Sequence, residues 1–246
     1  MCNSFFYERK HHRDNHKKEV ILYFPKSLDN FGVVLKGASV ARLPQISDKF
    51  DHCYMVNNFD RNTNNDDSEY SLVAPLLKGK QIVHFVNRLD TASLLPQHYR
   101  ELGIRHIQFT KVELDGHLRK VKRLYDSYGL TCHFLPEELL GYNEYFEGTG
   151  NYTKKHPNTG VLAIIYAAHL LKPKNLWVAG LDFYQNDYLF RRPWIAPLEQ
   201  QQEKMDRTDM VNHFIDVVKR NSDVNFKMIT NAKLPKLDNL EVIAPE

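Results

Sequence analysis

The sequence predicts an α/β fold, a single Rossmann-like domain with a mainly parallel sheet and helices on both faces, and three observations carry that expectation. From Asp29 onward, short β-rich runs alternate with longer helical ones, the order expected of successive βαβ units. Residues 175–180, Asn-Leu-Trp-Val-Ala-Gly, are apolar almost throughout, as in a strand buried on both faces. Residues 161–171 are hydrophobic nearly all round, as in a helix enclosed within a layered domain. A chain of 246 residues suits one such domain.

Composition narrows the class further. With 42% hydrophobic and 26% charged residues, the chain is neither disordered nor fibrous. Its 33 Lys and Arg exceed its 30 Asp and Glu by only three, too even a balance for a protein that coats nucleic acid. Cys2, Cys53 and Cys132 are odd in number and far apart, which suggests reduced thiols and a cytoplasmic setting rather than a disulfide framework. No apolar stretch approaches the roughly 18 to 20 residues of a membrane-spanning helix. Residues 1–28 form a basic segment expected to be flexible, with residues 29–246 as the folded domain. The basic side chains of that segment are offset by Glu8, Asp14 and Glu19, which leaves only a weak attraction for acidic lipid headgroups and a peripheral membrane association open.

The elements follow in order. Residues 31–35 read as the first strand, ending in Lys36, Gly37, Ala38 and Ser39, where glycine permits a sharp turn and a close approach of phosphate. Residues 52–56 form a second strand that stops at Asn57 and Asn58, before a polar loop at 60–69. A third strand spans 81–86 and ends at Asn87. Helices are expected at 92–102 and 112–128; in the latter Leu114, Leu118, Val121, Tyr125 and Tyr128 share one face. Short strands at 105–109 and 131–134 flank it, and the Gly- and Asn-rich stretch 141–156 resembles a lid. Asn158 or Thr159 can cap the helix through 171, which Pro173 terminates. After the strand 175–180 come a polar, aromatic stretch 181–188, a second polar stretch 191–206, a helix at 208–220 and a last strand at 226–229.

Several chemistries are excluded by spacing. The chain has no Walker A motif, no G-x-G-x-x-G fingerprint, no H-E-x-x-H zinc helix and no D-x-D pair, so no metal is implied. His11, His12 and His16 lie in the charged N-terminal segment and read as solvated. What remains is a set of amides and phenols at strand ends or a helix start: Asn57, Asn87, Asn158, Tyr184 and Tyr188. Loops at the carboxyl ends of parallel strands converge on a crevice. Amides there can hold a sugar or a phosphate, and a neutral phenol can donate to a phosphate oxygen. Asparagines also end strands simply because they make turns.

These residues resemble the bacterial sialyltransferases of glycosyltransferase family 42. The stretch from Asn158, Thr159, Gly160 and Val161 through Leu181, Asp182, Phe183, Tyr184, Gln185 and Asn186 is similar to a T-S-G-V helix start and a strand ending in G-I-D-F-Y-Q-N. Lys36-Gly37-Ala38-Ser39 resembles the family's G-N-G-P-S loop, Val56-Asn57-Asn58-Phe59 its C-N-Q-F, and Phe85-Val86-Asn87 its F-Y-N. The resemblance spans residues 31–216. It implies a metal-independent, inverting transferase, without cofactor, that moves sialic acid from a CMP-activated donor to a glycan hydroxyl in surface-glycan or lipopolysaccharide synthesis. It also implies roles: Tyr184 and Tyr188 as donors to the departing phosphate, with Lys36, Gly37, Ser39, Asn57, Asn87, Asn158, Thr159, Gly160 and Asp182 around the nucleotide-linked sugar. The family's general-base histidine has no counterpart between Tyr188 and Asn212, where Lys204 stands near its position; His213, His156 and Glu203 are the substitutes. Transfer of another CMP-activated acid such as Kdo, a silent nucleotide-binding homologue, and an unrelated α/β domain remain the alternatives, and homo-oligomerisation is open.

Overall fold

The computed structural model describes residues 23–57, 59, 69–86, 94, 96–109, 116–133, 158–185, 189 and 207–244. Eight strands form one sheet: β1 (Asn30–Val34), β2 (His52–Val56), β3 (Gln81–Val86), β4 (His106–Phe109), β5 (Thr131–His133), β6 (Asn175–Ala179), β7 (Asn225–Ile229) and β8 (Leu240–Val242). Their spatial order is β5-β4-β3-β2-β1-β6-β7-β8, and every adjacent pair is parallel. The expectation of a Rossmann-like α/β domain with a mainly parallel sheet is met.

Period-two alternation along the strands divides the interior into two cores. Phe31 and Val33 of β1, Tyr54 of β2, Phe85 of β3 and Val178 of β6 face one of them. That core is closed by α4 (Thr159–Tyr166), by the π-helical turn Ala167–Leu171 that continues it, and by α5 (Arg207–Arg220). On the opposite face Val34, Cys53, Met55, Ile82 and Ile107 pack against α1 (Glu69–Leu77), α2 (Pro96–Glu101) and the aromatic residue Tyr125 of α3 (Gly116–Ser127). A helix that is apolar all round belongs in such a layer; Val161, Ile164, Ile165 and Leu171 are all buried.

The differences from the sequence reading have local causes. Helix α1 was not expected, because Pro75 lies inside it and the stretch before it is polar; its inner face nevertheless buries Val73 and Leu77. Residues 38–45 form a 3-10 helix rather than a simple turn. Strand β8 has three residues, too few for an alternating pattern to register. The fold also reaches back into the segment expected to be flexible: Phe24 is buried among Phe31, His52 and Tyr54, and the Ser27 amide donates to the Leu171 carbonyl at 2.6 Å. Of the expected loop at 60–69, residues 60–68 lie outside the described residues and Glu69 opens α1; the stretches at 141–156 and 191–206 lie outside them too. Among the described residues, no helix is long and apolar enough to cross a membrane.

Candidate functional site

After β1 the chain winds outward through β2 to β5, then returns to lay β6 on the other side of β1. The loops leaving β1 and β6 therefore diverge, and a doubly wound sheet opens its crevice at this switch point, beyond the carboxyl ends of the strands. Lys36 and Gly37 follow β1 there, Asn57 follows β2, and residues 180–185 follow β6. Gly37 donates its N–H to the Gly180 carbonyl at 2.9 Å. A Cβ on Gly37 would lie 2.6 Å from that carbonyl oxygen and 2.7 Å from Asp182 Oδ2, so only glycine lets the two loops touch.

Asp182 and Ser39 lock this edge together. The Asp182 carboxylate, 4% exposed, accepts from the Ser39 backbone N–H through Oδ2 at 2.8 Å and from the Asn231 N–H through Oδ1 at 2.8 Å. The Ser39 hydroxyl accepts from the Gly180 N–H and donates to the Ile229 carbonyl, both at 3.2 Å. Thr230 donates to the Leu181 carbonyl at 2.7 Å. Two residues expected around the donor thus direct these polar atoms inward, and they hold the ends of β1, β6 and β7 in one frame. The loop after β7, absent from the sequence reading, joins the site through this frame and brings the exposed Asn231 and Lys233 to the same edge.

The segment after Asp182 is conformationally unusual. Phe183 and Tyr184 both have positive φ, 49° and 55°, and Gln185 donates to the Asp182 carbonyl at 2.9 Å. Two positive central φ values in a closed turn are the type I′ signature, normally met by Asn and Gly. Here two aromatic residues carry it, a cost that clusters at functional sites. The turn sends Phe183 into the core, 5.5 Å from the Phe214 ring, and leaves Tyr184 half-buried. Tyr184 therefore sits on the carboxyl edge that also bears Asn57 rather than in the hydrophobic interior.

The start of α4 closes the crevice from above the same edge. Asn158 caps the helix, its Oδ1 accepting from the Val161 N–H at 2.9 Å, and its own N–H points to the Met210 sulfur of α5 at 3.4 Å. A Cβ on Gly160 would lie 2.2 Å from a methyl of Leu35, which follows β1, and 3.3 Å from one of Leu181, which follows β6. That approach sets a helix N-terminus, with its partial positive charge, against the switch point. Thr159 and Gly160 are buried in this contact.

Asn57 adopts the left-handed region at φ 64°. Its N–H donates to the Phe85 carbonyl at 2.8 Å, and its carbonyl is 2.7 Å from His84 Nε2. Burial pushes the His84 imidazole down to about 4, so it is neutral near pH 7. Sequence reasoning passed over His84, since a lone histidine in an apolar strand carries no motif.

His213 is fully buried on the inner face of α5, whereas a general base must reach the acceptor hydroxyl. Asn87, Tyr188, His156, Glu203 and Lys204 lie outside the described residues. Among the described residues, no three His, Cys, Asp or Glu side chains gather into a potential metal site.

No protein-family model and no curated protein sequence matches the chain. Solved structures do. The sialyltransferase CST-II in complex with a trisaccharide acceptor and CMP is 18% identical, with a TM-score of 0.50 over 88% of this chain and 95% of that one. A CST-II variant in complex with CMP is also 18% identical, with a TM-score of 0.50 over 82% of each chain. The monofunctional α-2,3-sialyltransferase Cst-I from Campylobacter jejuni is 16% identical, with a TM-score of 0.50 over 85% of this chain and 78% of that one. The chain shares its α/β fold with these sialyltransferases.

Proposed function

We propose that the protein is a glycosyltransferase that takes an acid sugar from a CMP-activated donor and transfers it to a glycan hydroxyl. The observation that carries this reading is the assembly of Gly37, the strained Tyr184 turn and the capped N-terminus of α4 at one switch point, in a fold shared with sialyltransferases solved with CMP. In this reading the α4 N-terminus and Asn158 receive the nucleotide phosphate, Gly37 admits it to the backbone, and Lys36 adds a positive charge. Asn57 and Asn87 contact the sugar.

The chemistry needs charge stabilisation as the phosphate departs from an oxocarbenium-like centre. Tyr184, joined by Tyr188, supplies it as a neutral hydrogen-bond donor, with inversion at the sugar and without a divalent cation. The base for the acceptor hydroxyl is Glu203 or His156, with His213 as the third candidate. The protein works in the cytoplasm, at most loosely attached to an acidic membrane face, on surface-glycan precursors.

A second reading, a nucleotide-binding protein without turnover, is favoured by the burial of His213. Calorimetric titration with CMP, followed by donor hydrolysis and transfer assays with CMP-sialic acid and CMP-Kdo in the presence of EDTA, separates the two. Binding with EDTA-resistant turnover supports the transferase, and Tyr184→Phe then lowers the rate on the order of a hundredfold with little loss of CMP affinity. Binding without turnover supports the silent protein. No binding of CMP overturns both.

A further inference from the structure

His84 on β3 stands between Asn57 and two tyrosines from separate helices. Its Nε2 is 2.7 Å from the Asn57 carbonyl and its Nδ1 is 3.0 Å from the Tyr99 hydroxyl of α2. The Tyr99 ring in turn stands edge-on to that of Tyr125 of α3, with centroids 6.0 Å apart. His84, Tyr99 and Tyr125 are all buried. A carbonyl oxygen only accepts, so a neutral ring must carry its one proton on Nε2, and Nδ1 must then accept from Tyr99. A single proton arrangement satisfies the whole chain, and it ends on the backbone of a candidate site residue.

That backbone needs support. Asparagine enters the left-handed region more readily than other non-glycine residues, but a carbonyl turned toward the interior still requires a donor. The amide and the carbonyl of Asn57 are both fixed, by Phe85 and by His84 respectively. An apolar side chain would fill the place of His84 in this layer and leave the carbonyl without its donor. We infer that His84, its tautomer set by the Asn57 carbonyl and its Nδ1 occupied by Tyr99, is a positioning residue that holds Asn57 in the left-handed conformation and so aims its carboxamide across the carboxyl edge of the sheet. The consequence for nucleotide-sugar binding rests on the proposed function above.

The test uses the full chain with three substitutions. His84→Gln retains an N–H donor near the Nε2 position, His84→Leu removes it, and Tyr99→Phe deletes only the hydroxyl that occupies Nδ1. Nitrogen NMR of the wild-type ring is expected to show a protonated Nε2 and a bare Nδ1 from about pH 5.5 to 8. His84→Leu is expected to shift the Asn57 backbone amide resonance and weaken CMP binding about tenfold, with His84→Gln recovering most of both. An Nδ1–H tautomer in the wild type overturns the inference, as does a folded His84→Leu protein with an unmoved Asn57 resonance. Should His84→Leu fail to fold, Tyr99→Phe decides: loss of the Nδ1 partner that displaces the Asn57 resonance supports the inference, and an unmoved Asn57 resonance overturns it. Failure of the wild type to bind CMP removes the nucleotide reading alone, because the ring and Asn57 signals still report on the positioning.

Discussion

The carboxylate of Asp182 receives the backbone N–H of Ser39 at 2.8 Å, across 143 residues of chain and across the switch point of the sheet. Its other oxygen takes the Asn231 N–H, so one side chain joins the loops after β1, β6 and β7. Asp182→Asn turns one acceptor into a donor facing an N–H group. The expected loss is about 1–3 kcal/mol of stability, read by urea denaturation, accompanied by weaker CMP binding because the loops of the crevice separate.

Gly37→Ala tests the contact between the β1 and β6 loops. The added methyl meets backbone oxygen on one side and the Asp182 carboxylate on the other, neither of which can step aside without breaking the frame. A loss of about 1–3 kcal/mol is expected. A fully stable Gly37→Ala protein, shown by an unchanged denaturation midpoint, would mean that the two loops are not in contact.

Asn158 allows capping and ligand binding to be separated. Asn158→Ala removes the acceptor for the Val161 N–H and is expected to cost about 1 kcal/mol. Asn158→Asp keeps the cap and complements the helix dipole, so stability is held while, under the proposed function, a negative charge is set against the nucleotide phosphate. CMP affinity measured by calorimetry should then fall on the order of tenfold in Asn158→Asp, through like-charge repulsion across partly buried space. Equal affinities in the wild type and Asn158→Asp would move the phosphate away from α4.

Stability should decline on mild acidification, and the sign follows from His84. Burial holds its imidazole at about 4, against an opposing hydrogen bond to Asn57, while the unfolded chain protonates near pH 6.5. The unfolded state therefore binds more protons between those values. The contribution is complete above about pH 6.5 and is lost as pH falls toward 4, up to about 3 kcal/mol. Burial also lowers His106 and His133, which pull the same way. Denaturation curves at stepped pH are expected to show a shallower slope in His84→Gln than in the wild type.

The sheet was legible because its strands are buried on both faces and say so through continuous apolar runs; β1, β2, β3, β6 and β7 all stand within a residue or so of their expected places. Helix α1 was hidden by Pro75, and β8 by its brevity. At the switch point, Gly37 and Asn57 were legible because turn-forming residues after strands mark loops at the carboxyl edge, Asn158 because it can cap a helix, and Tyr184 through the family resemblance. The sequence also indicated Asp182 and Ser39, but their inward bonding depends on the loop after β7, nearly fifty residues beyond Asp182. No local pattern announces such a partner. His84 was missed for a related reason: its significance lies in what it touches, and Tyr99 and Asn57 come from other elements.

Pairing of β1 with β6 joins Asn30 to Asn175 and Val34 to Ala179, so the middle of the sheet closes late in the sequence. During synthesis the half containing β1 to β5 emerges first, with the β6-facing flank of β1 uncovered until the later strands arrive. A long closure of this kind slows folding and presents an open backbone row to other nascent chains. The switch-point crevice and this late-covered flank of β1 are thus the same seam.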